Sequence, residues 1–212
     1  MRRASTVLIA DVVGSSARKG LREALGKKVD AASKEHLKKG WIKLPYAITA
    51  GDEFQTILGR ETSAAEVMFD LRVRFWPLRL RIGIGVGPVG DTIKRPVNRM
   101  SGEAFQRARR AIESIKDEQA KYEVRTAFRT GNENFDATAG LVYALQDTLF
   151  MGITRKQWDT IRAYYAEGGV VEAAKRLRLN KSTISRNLKR SSYWQMRDTV
   201  AGMDRLIRAE RW

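Results

Sequence analysis

The spacing of apolar positions along the first part of the chain indicates strands and helices that follow one another. Residues 6–13 (TVLIADVV) are β-branched and apolar, as in a buried strand, whereas residues 101–120 carry apolar positions three or four apart, as in a helix. Strands are predicted at 6–13, 41–49, 53–58, 78–86 and 122–128, and helices at about 14–39, 62–75 and 101–120. The order β-α-β-β-α-β-α-β predicts an α+β fold with a ferredoxin-like or palm domain, in which an antiparallel sheet has its helices on one face.

The second part of the chain has a different pattern. Residues 131–134 (GNEN) are polar and rich in turn formers, and no strand is predicted beyond them. We therefore predict two domains, a palm domain at 1–131 and an all-α helix-turn-helix domain at 136–212.

Helical spacing defines the start of this second domain. Residues 137–150 form one predicted helix, and its apolar face consists of Leu141, Ala144, Leu145 and Leu149. Thr154 and Gln157 have the spacing of a capping box that opens the next helix, and Gly168-Gly169 ends that helix.

Residues 170–190 (VVEAAKRLRLNKSTISRNLKR) have the pattern of a helix-turn-helix. In the turn, Arg178 has to adopt the left-handed conformation that glycine takes more easily. Leu179 is expected to fill the corner between the helices, and Asn180 to cap the second helix. The positions expected to be buried are Val170, Ala174, Leu177, Ile184 and Leu188.

The side chains left on the open face of the second helix are polar or basic. They are Lys181, Ser182, Thr183, Ser185, Arg186 and Lys189. Hydroxyl groups of this kind contact phosphates, and an arginine reaches a guanine edge in the major groove. The stretch AAKRLRLNKSTISRNLKR resembles the helix-turn-helix of bacterial regulators. We predict that it binds double-stranded DNA. The alternative is a small helical bundle with a solvated basic face.

Composition supports an anionic partner. Lys and Arg number 40 and Asp and Glu 24, so the formal net charge is +16 and the pI is about 10.4. Such a charge is expected of a protein that binds nucleic acid, nucleotide or an acidic membrane. Residues 151–212 carry 14 Lys and Arg against 6 Asp and Glu, so their net charge per residue is more than twice that of the rest.

Other classes of function are excluded by what the sequence lacks. It contains no cysteine, which excludes disulfide scaffolds, thiolate zinc sites and cysteine nucleophiles. The single histidine, His36, excludes a histidine-based metal cluster. Since His36 stands among Lys34, Lys38 and Lys39, it is predicted to be a solvated or capping residue. No apolar run is long enough to span a membrane, and Asp11 interrupts the stretch that would serve as a signal peptide. A cytoplasmic location is expected.

Two carboxylates occupy positions that a ferredoxin-like sheet brings together. Asp11 falls near the end of the first strand, and Asp52 falls at the tip of the predicted hairpin 50–52. Because the first strand lies beside this hairpin, the two carboxylates are expected to converge. Paired carboxylates without His or Cys suit Mg²⁺ or Mn²⁺. The backbone of Gly14, Ser15 and Ser16 is expected to face phosphate oxygens. The alternative is that each aspartate is an ordinary turn residue or pairs with a lysine.

Four segments, in order, resemble the palm-type catalytic domains of class III nucleotidyl cyclases and diguanylate cyclases. They are residues 11–15 (DVVGS), 50–54 (AGDEF), 81–89 (RIGIGVGPV) and 102–110 (GEAFQRARR). AGDEF differs from the GGDEF motif only at Ala50. With a helix-turn-helix appended, the chain is similar to the SatD family, bacterial proteins of poorly defined function, and is identified as a member of it.

The resemblance implies roles for individual residues. Asp11 and Asp52 match metal ligands, and Gly51 belongs to the nucleotide site. Arg110 matches the arginine that stabilises the transferring phosphate. Gln106 stands where the cyclases have the asparagine that orients the ribose.

The sequence thus leads to a preferred hypothesis and two alternatives. The preferred one is a DNA-binding regulator, expected to be a homodimer, whose palm domain binds a nucleotide with Mg²⁺ or Mn²⁺ and senses it. The first alternative is a metal-dependent nucleotidyl cyclase or oligonucleotide synthase that DNA activates or localises. The second is a nucleic-acid clamp that binds no nucleotide.

Overall fold

A five-stranded sheet and eight helices make up the part of the chain that the computed structural model describes, residues 4–15, 20–49, 51–59, 64–90, 96–118 and 125–210. The strands are β1 (Ser5–Val12), β2 (Ala47–Ile48), β3 (Glu53–Ile57), β4 (Leu80–Gly87) and β5 (Thr126–Arg129). The helices are α1 (Leu21–Lys38), α2 (Ala64–Phe75), α3 (Glu103–Glu118), α4 (Glu133–Gly152), α5 (Arg155–Glu167), α6 (Val170–Leu177), α7 (Lys181–Arg190) and α8 (Tyr193–Ala209). Within these ranges no helix combines the length and the apolar character needed to cross a membrane.

Strand β1 occupies the middle of the sheet, whose order is β2-β3-β1-β4-β5. It pairs antiparallel with both β3 and β4. The first four strands therefore have the predicted ferredoxin-like arrangement. The prediction of a purely antiparallel sheet is wrong, however, because β5 pairs with β4 in parallel. The connection between these two strands contains α3, and a helical crossover returns the chain in the same direction.

The prediction that the helices share one face of the sheet is also wrong. Along β1, Val7 and Ile9 pack with the apolar residues of α3, whereas Leu8, Ala10 and Val12 pack with those of α1 and α2. Successive side chains of a strand point to opposite faces, so α3 lies on one face and α1 and α2 lie on the other. The reason is visible in the sequence of β1, which is apolar at almost every position and so needs cover on both faces.

The predicted strand at 41–49 is mostly irregular. Only Ala47–Ile48 pair as a strand, and Ile42 forms an isolated bridge with Leu58. Pro45 lies between these two points and has no N–H to donate to a neighbouring strand. At the other edge of the sheet, β5 is confirmed at its C-terminal end, while residues 122–124 of the predicted strand lie outside the described residues.

The predicted helices of the C-terminal part are present, and the capping box is confirmed, since Thr154 and Gln157 bond reciprocally at the start of α5. In α4 the predicted leucine face exists but is not the buried one. Leu141 and Leu145 are 71% and 72% exposed, whereas Phe135 and Tyr143 lie in the core. The face with the aromatic residues buries more apolar area than the leucine face would.

Helices α6 and α7 are joined by a short turn at the predicted position, and their assignment as a helix-turn-helix domain stays a prediction. Arg178 ends α6 in the left-handed region, at φ 55° and ψ 44°, and Ile184 and Leu188 are completely buried. Two details of the prediction are wrong. Leu179 does not fill the corner, since it is 44% exposed, and the side chain of Asn180 makes no capping hydrogen bond. The small residues Ala173 and Ala174 are buried in α6 instead, which lets the helices approach closely.

Helix α2 belongs to both parts of the chain. It covers the sheet, and its outer side packs against α5 and α8. Phe69 contacts the rings of Phe150, Tyr165 and Tyr193 from three different C-terminal helices. One apolar core therefore runs from the sheet into the helical part. The domain boundary at 131–136 stays a prediction.

Glycine lets α3 approach β4 closely. A Cβ at Gly85 would lie 2.2 Å from both the carbonyl oxygen of Ala104 and the backbone nitrogen of Ala108, so no side-chain movement relieves the clash. We expect Gly85→Ala to lower the free energy of unfolding by about 3 kcal/mol, the upper end of overpacking effects, in urea denaturation. Gly140→Ala is the control, because nothing lies within 4 Å of its added Cβ in α4. Stability of Gly85→Ala equal to that of Gly140→Ala would contradict this packing.

Candidate functional site

The first candidate site lies where β1 ends beside the hairpin. In the β1–β3 register Asp11 is directly opposite Glu53, the residue that follows Asp52. Asp11 and Glu53 are both buried, whereas Asp52 is partly exposed in the turn. The two strands thus set the carboxylate of Asp11 opposite that of Glu53, and the convergence of Asp11 with Asp52 stays a prediction.

Basic side chains surround these carboxylates. The Arg81 Nε lies 2.7 Å from one oxygen of Asp11, and the Lys116 Nζ lies 3.2 Å from the other. Arg109 binds both oxygens of Glu53, one of them at 2.6 Å, and Thr49 donates to Glu53 at 2.7 Å. Burial acts to raise the pKa of Glu53, but the bonds from Arg109 and Thr49 outweigh it, so this pKa is lowered. We call Asp11, Glu53, Arg81, Arg109 and Lys116 the charged edge.

The charged edge does not fit a metal ion as it is arranged. Its oxygens have the right chemistry for Mg²⁺ or Mn²⁺, but every oxygen of Asp11 and Glu53 is already bound by a basic side chain. Asp52 has no ion pair with any described residue. Across the described ranges there is no group of three or more His, Asp or Glu residues that could hold a metal. A metal ion would therefore have to displace Arg81 or Lys116 from Asp11.

The described residues predicted to contact the nucleotide lie in two turns of the sheet and on the exposed side of α3. Gly14 and Gly51 adopt left-handed conformations in the turns after β1 and before β3, and Ser15 is half-buried. Ser16 lies outside the described residues. On α3, Gln106 and Arg110 are exposed. Their roles stay predictions.

Arg109, the residue of α3 that binds Glu53, was not predicted from the sequence. The helical spacing contained a signal for it. Arg109 is four residues after Phe105 and three before Ile112, both of which face the sheet. It therefore borders the inward side of the helix, whereas Arg110 is one step further toward solvent.

The second candidate site is the exposed face of α7. Lys181, Ser182, Ser185, Arg186 and Lys189 are exposed, and Thr183 is half-buried. None of these side chains bonds to another described residue. Because Ile184 and Leu188 are completely buried on the opposite side, the helix cannot turn this face inward.

His36 is at the centre of a buried polar network, which corrects the prediction that it is solvated or a helix cap. It has no exposed surface. Its Nε2 lies 2.9 Å from Asp70 of α2, and its Nδ1 lies 2.9 Å from the Tyr46 hydroxyl. Tyr165 of α5 donates to the other oxygen of Asp70 at 3.0 Å. The network thus ties α1, α2 and α5 together.

The same network holds a buried negative charge. Burial acts to raise the pKa of Asp70, but hydrogen bonds from His36 and Arg74 outweigh it, so this pKa is lowered. The three donors around Asp70 make it a structural carboxylate.

The sheet and the helices that follow it define the class of protein, a ferredoxin-like α+β unit continued by a bundle of helices. The chain belongs to the SatD family, whose model matches residues 6–204. No curated protein sequence matches it.

Solved structures with a similar fold include two adenylyl cyclases. A bacterial light-regulated adenylyl cyclase is 12% identical over 59% of this chain and 75% of its own, with a TM-score of 0.41. The adenylyl cyclase CyaB from P. aeruginosa is 22% identical over 54% and 73%, with a TM-score of 0.36. An EAL/GGDEF domain protein from M. capsulatus is 18% identical over 54% and 79%, with a TM-score of 0.35.

Proposed function

We propose that this protein is a DNA-binding regulatory protein and that α7 is the helix that enters the major groove. The observation that carries the proposal is the division of α7 into two sides. Ile184 and Leu188 anchor it in the core, while the polar and basic side chains of its exposed face bond to no other described residue. A recognition helix requires both properties.

The electrostatics of the C-terminal part agree with this proposal. Residues 151–212 hold 14 of the 40 Lys and Arg residues of the chain but only 6 of the 24 Asp and Glu residues. An excess of cations attracts duplex DNA from a distance, and contacts with phosphates add affinity that does not depend on sequence. The cytoplasmic location that this function needs stays a prediction.

We expect Arg186→Ala to weaken binding to a preferred duplex by about 1–3 kcal/mol and to relax its sequence preference. Lys189→Ala, if Lys189 contacts a phosphate, is expected to lower the salt slope by about 0.9 without changing that preference. Fluorescence anisotropy on duplexes selected from a random library measures both.

Arg22→Ala is the matched control, because it removes the same charge from an exposed position on α1. If Arg186→Ala and Arg22→Ala lost the same amount of duplex affinity, DNA binding would depend on net charge alone and not on α7. An absence of duplex affinity at about 50 mM salt, where phosphate contacts are strong, would refute the proposal.

We propose as well that the charged edge binds the phosphates of a nucleotide. Three cations against two carboxylates support this. The β1–β3 register sets Asp11 opposite Glu53, the β1–β4 register sets Arg81 opposite Asp11, and α3 adds Arg109 and Lys116. Arginine and lysine are the side chains that bind phosphate. Mg²⁺ at Asp11 and Asp52 stays a prediction, and so does a role for Gly51 in nucleotide binding.

Lys116→Gln tests this second proposal. It removes a partly exposed cation, and we expect it to weaken the binding of ATP or GTP by about 1.5–3 kcal/mol, the strength of a charge-assisted bond, in calorimetric titrations. Since the basic side chains already occupy Asp11 and Glu53, binding is expected to persist in EDTA. Lys38→Gln, which removes an exposed cation at the end of α1, is the control.

Three results would contradict the phosphate site as described. If Lys116→Gln bound ATP or GTP as tightly as wild type, Lys116 would not contact the phosphates. Binding that requires Mg²⁺ and disappears in Asp52→Asn would restore the metal interpretation. Cyclic or linear products found by mass spectrometry after incubation with nucleoside triphosphates and Mn²⁺ would favour the enzyme.

A homodimer stays a prediction, and α4 offers the surface that suits it best. Its exposed face, which includes Leu141, Leu145 and Leu149, carries no charged residue between Ala137 and Leu149. Two chains that each carry +16 repel one another, so a second copy would approach most easily through an uncharged apolar face.

A further inference from the structure

A basic cleft lies between α1 and α2, which cover one face of the sheet, and α5 and α6 of the C-terminal part. It has a volume of about 610 Å³ and is lined by α1, α2, α5 and α6. Its basic side chains are Lys27, Lys28, Lys39, Arg74, Arg162 and Arg176, and Glu35 is its one acidic residue. The cleft lies on the α1 and α2 side of the sheet, whereas α3 and the charged edge belong to the other side.

Four of these cations are compensated by carboxylates within the protein. Lys27 pairs with Glu23 at 2.7 Å, and Arg176 pairs with Glu167 at 2.7 Å. Lys39 binds Glu35 at 2.8 Å. The fourth, Arg74, binds both Glu35 and Asp70. Their charges are therefore largely cancelled in the cleft.

Lys28 and Arg162 are not compensated. Lys28 donates to two backbone carbonyl oxygens, those of Arg74 at 2.8 Å and Trp76 at 3.3 Å, and pairs with no carboxylate in the described ranges. Arg162, on α5, likewise has no carboxylate partner there. The pKa of Lys28 is lowered, first because the group is half-buried and second because Arg162 repels its charge. Two positive charges on opposite walls of a cleft repel each other, and an anion bound between them removes this repulsion.

We propose that this cleft binds a small phosphorylated molecule with at least two negative charges, held between Lys28 and Arg162. A volume of about 610 Å³ falls in the range of small-molecule sites, about 300–1,000 Å³. The remaining lining, which includes Ala31, Val73 and Tyr165, gives apolar contacts to an organic part of the ligand. Inorganic pyrophosphate and a nucleotide share the chemistry that the two cations require.

Such a ligand would connect the α/β unit to the helix-turn-helix. Lys28 belongs to α1, and Arg162 belongs to α5, which packs against both α6 and α7. A phosphate that bridges the two side chains would pull the helical part toward α1, and α7 would move with α5. The cleft is therefore placed where a small anion can influence the exposed face of α7.

The test is calorimetric titration of the full chain with sodium pyrophosphate and with ATP, each in EDTA and about 0.15 M salt, where long-range charge effects are screened. We expect both to bind wild type, and Arg162→Gln and Lys28→Gln each to weaken them by about tenfold or more, as loss of a charge-assisted bond does. Lys34→Gln is the matched control, since Lys34 is an exposed α1 cation outside the cleft. Circular dichroism verifies folding, and Arg162 is exposed, so its variant is the safer one.

The outcomes separate the sources of the phosphate and the two candidate sites. Where Arg162→Gln weakens binding, equal wild-type affinity for pyrophosphate and ATP indicates that the cleft recognises the phosphate group alone, and tighter binding of ATP indicates that it recognises a nucleotide. Both results support the proposal. Loss of binding in Lys116→Gln but not in Arg162→Gln would overturn it and leave the charged edge as the site. It would also be overturned if neither compound bound, or if Arg162→Gln weakened duplex DNA binding alone.

Discussion

Helix α2 is covered on both sides, and this constraint determines much of the molecule. One side packs on the sheet and the other on α5 and α8, so α2 has to bury charged residues that a surface helix would expose to water. Asp70 and Arg72 are both buried. A buried charge is tolerated only when it is paired and hydrogen-bonded, and apart from Arg74, which lies on α2 itself, the partners of these two residues come from other elements of the chain.

The partners of α2 connect distant segments. Arg72 bonds to Thr126 of β5 and pairs with Asp147 of α4, where one N–O distance is 2.6 Å. Burial raises the pKa of Asp147, although Arg72 opposes this. Removing one partner of such a pair costs about 3–5 kcal/mol, because the other charge stays buried. The sheet and the C-terminal helices are therefore joined by a buried ion pair and a hydrogen bond as well as by apolar packing.

The sequence predicted those features that depend on short stretches of chain. The order of strands and helices, the capping box of α5 and the left-handed Arg178 all follow from residues close together in sequence. His36 could not be predicted in this way, since Asp70, the carboxylate it contacts, is 34 residues away and its near neighbours are lysines. The exposed side of α4 was missed for a related reason. Leucine spacing shows that residues share a face, but which face is buried depends on the helices packed against it.

Helix α2 makes the sheet and the C-terminal helices one cooperative unit, and native-state hydrogen exchange tests this cooperativity most directly. Peptides from β1 and β4 and peptides from α5 and α7 are compared by mass spectrometry as urea is added below the unfolding transition. We expect the most protected amides of both sets to open with the same free energy and the same dependence on urea. If the slowest amides of α5 and α7 open at a free energy several kcal/mol below those of β1 and β4, the two parts unfold independently, and α2 does not unite them.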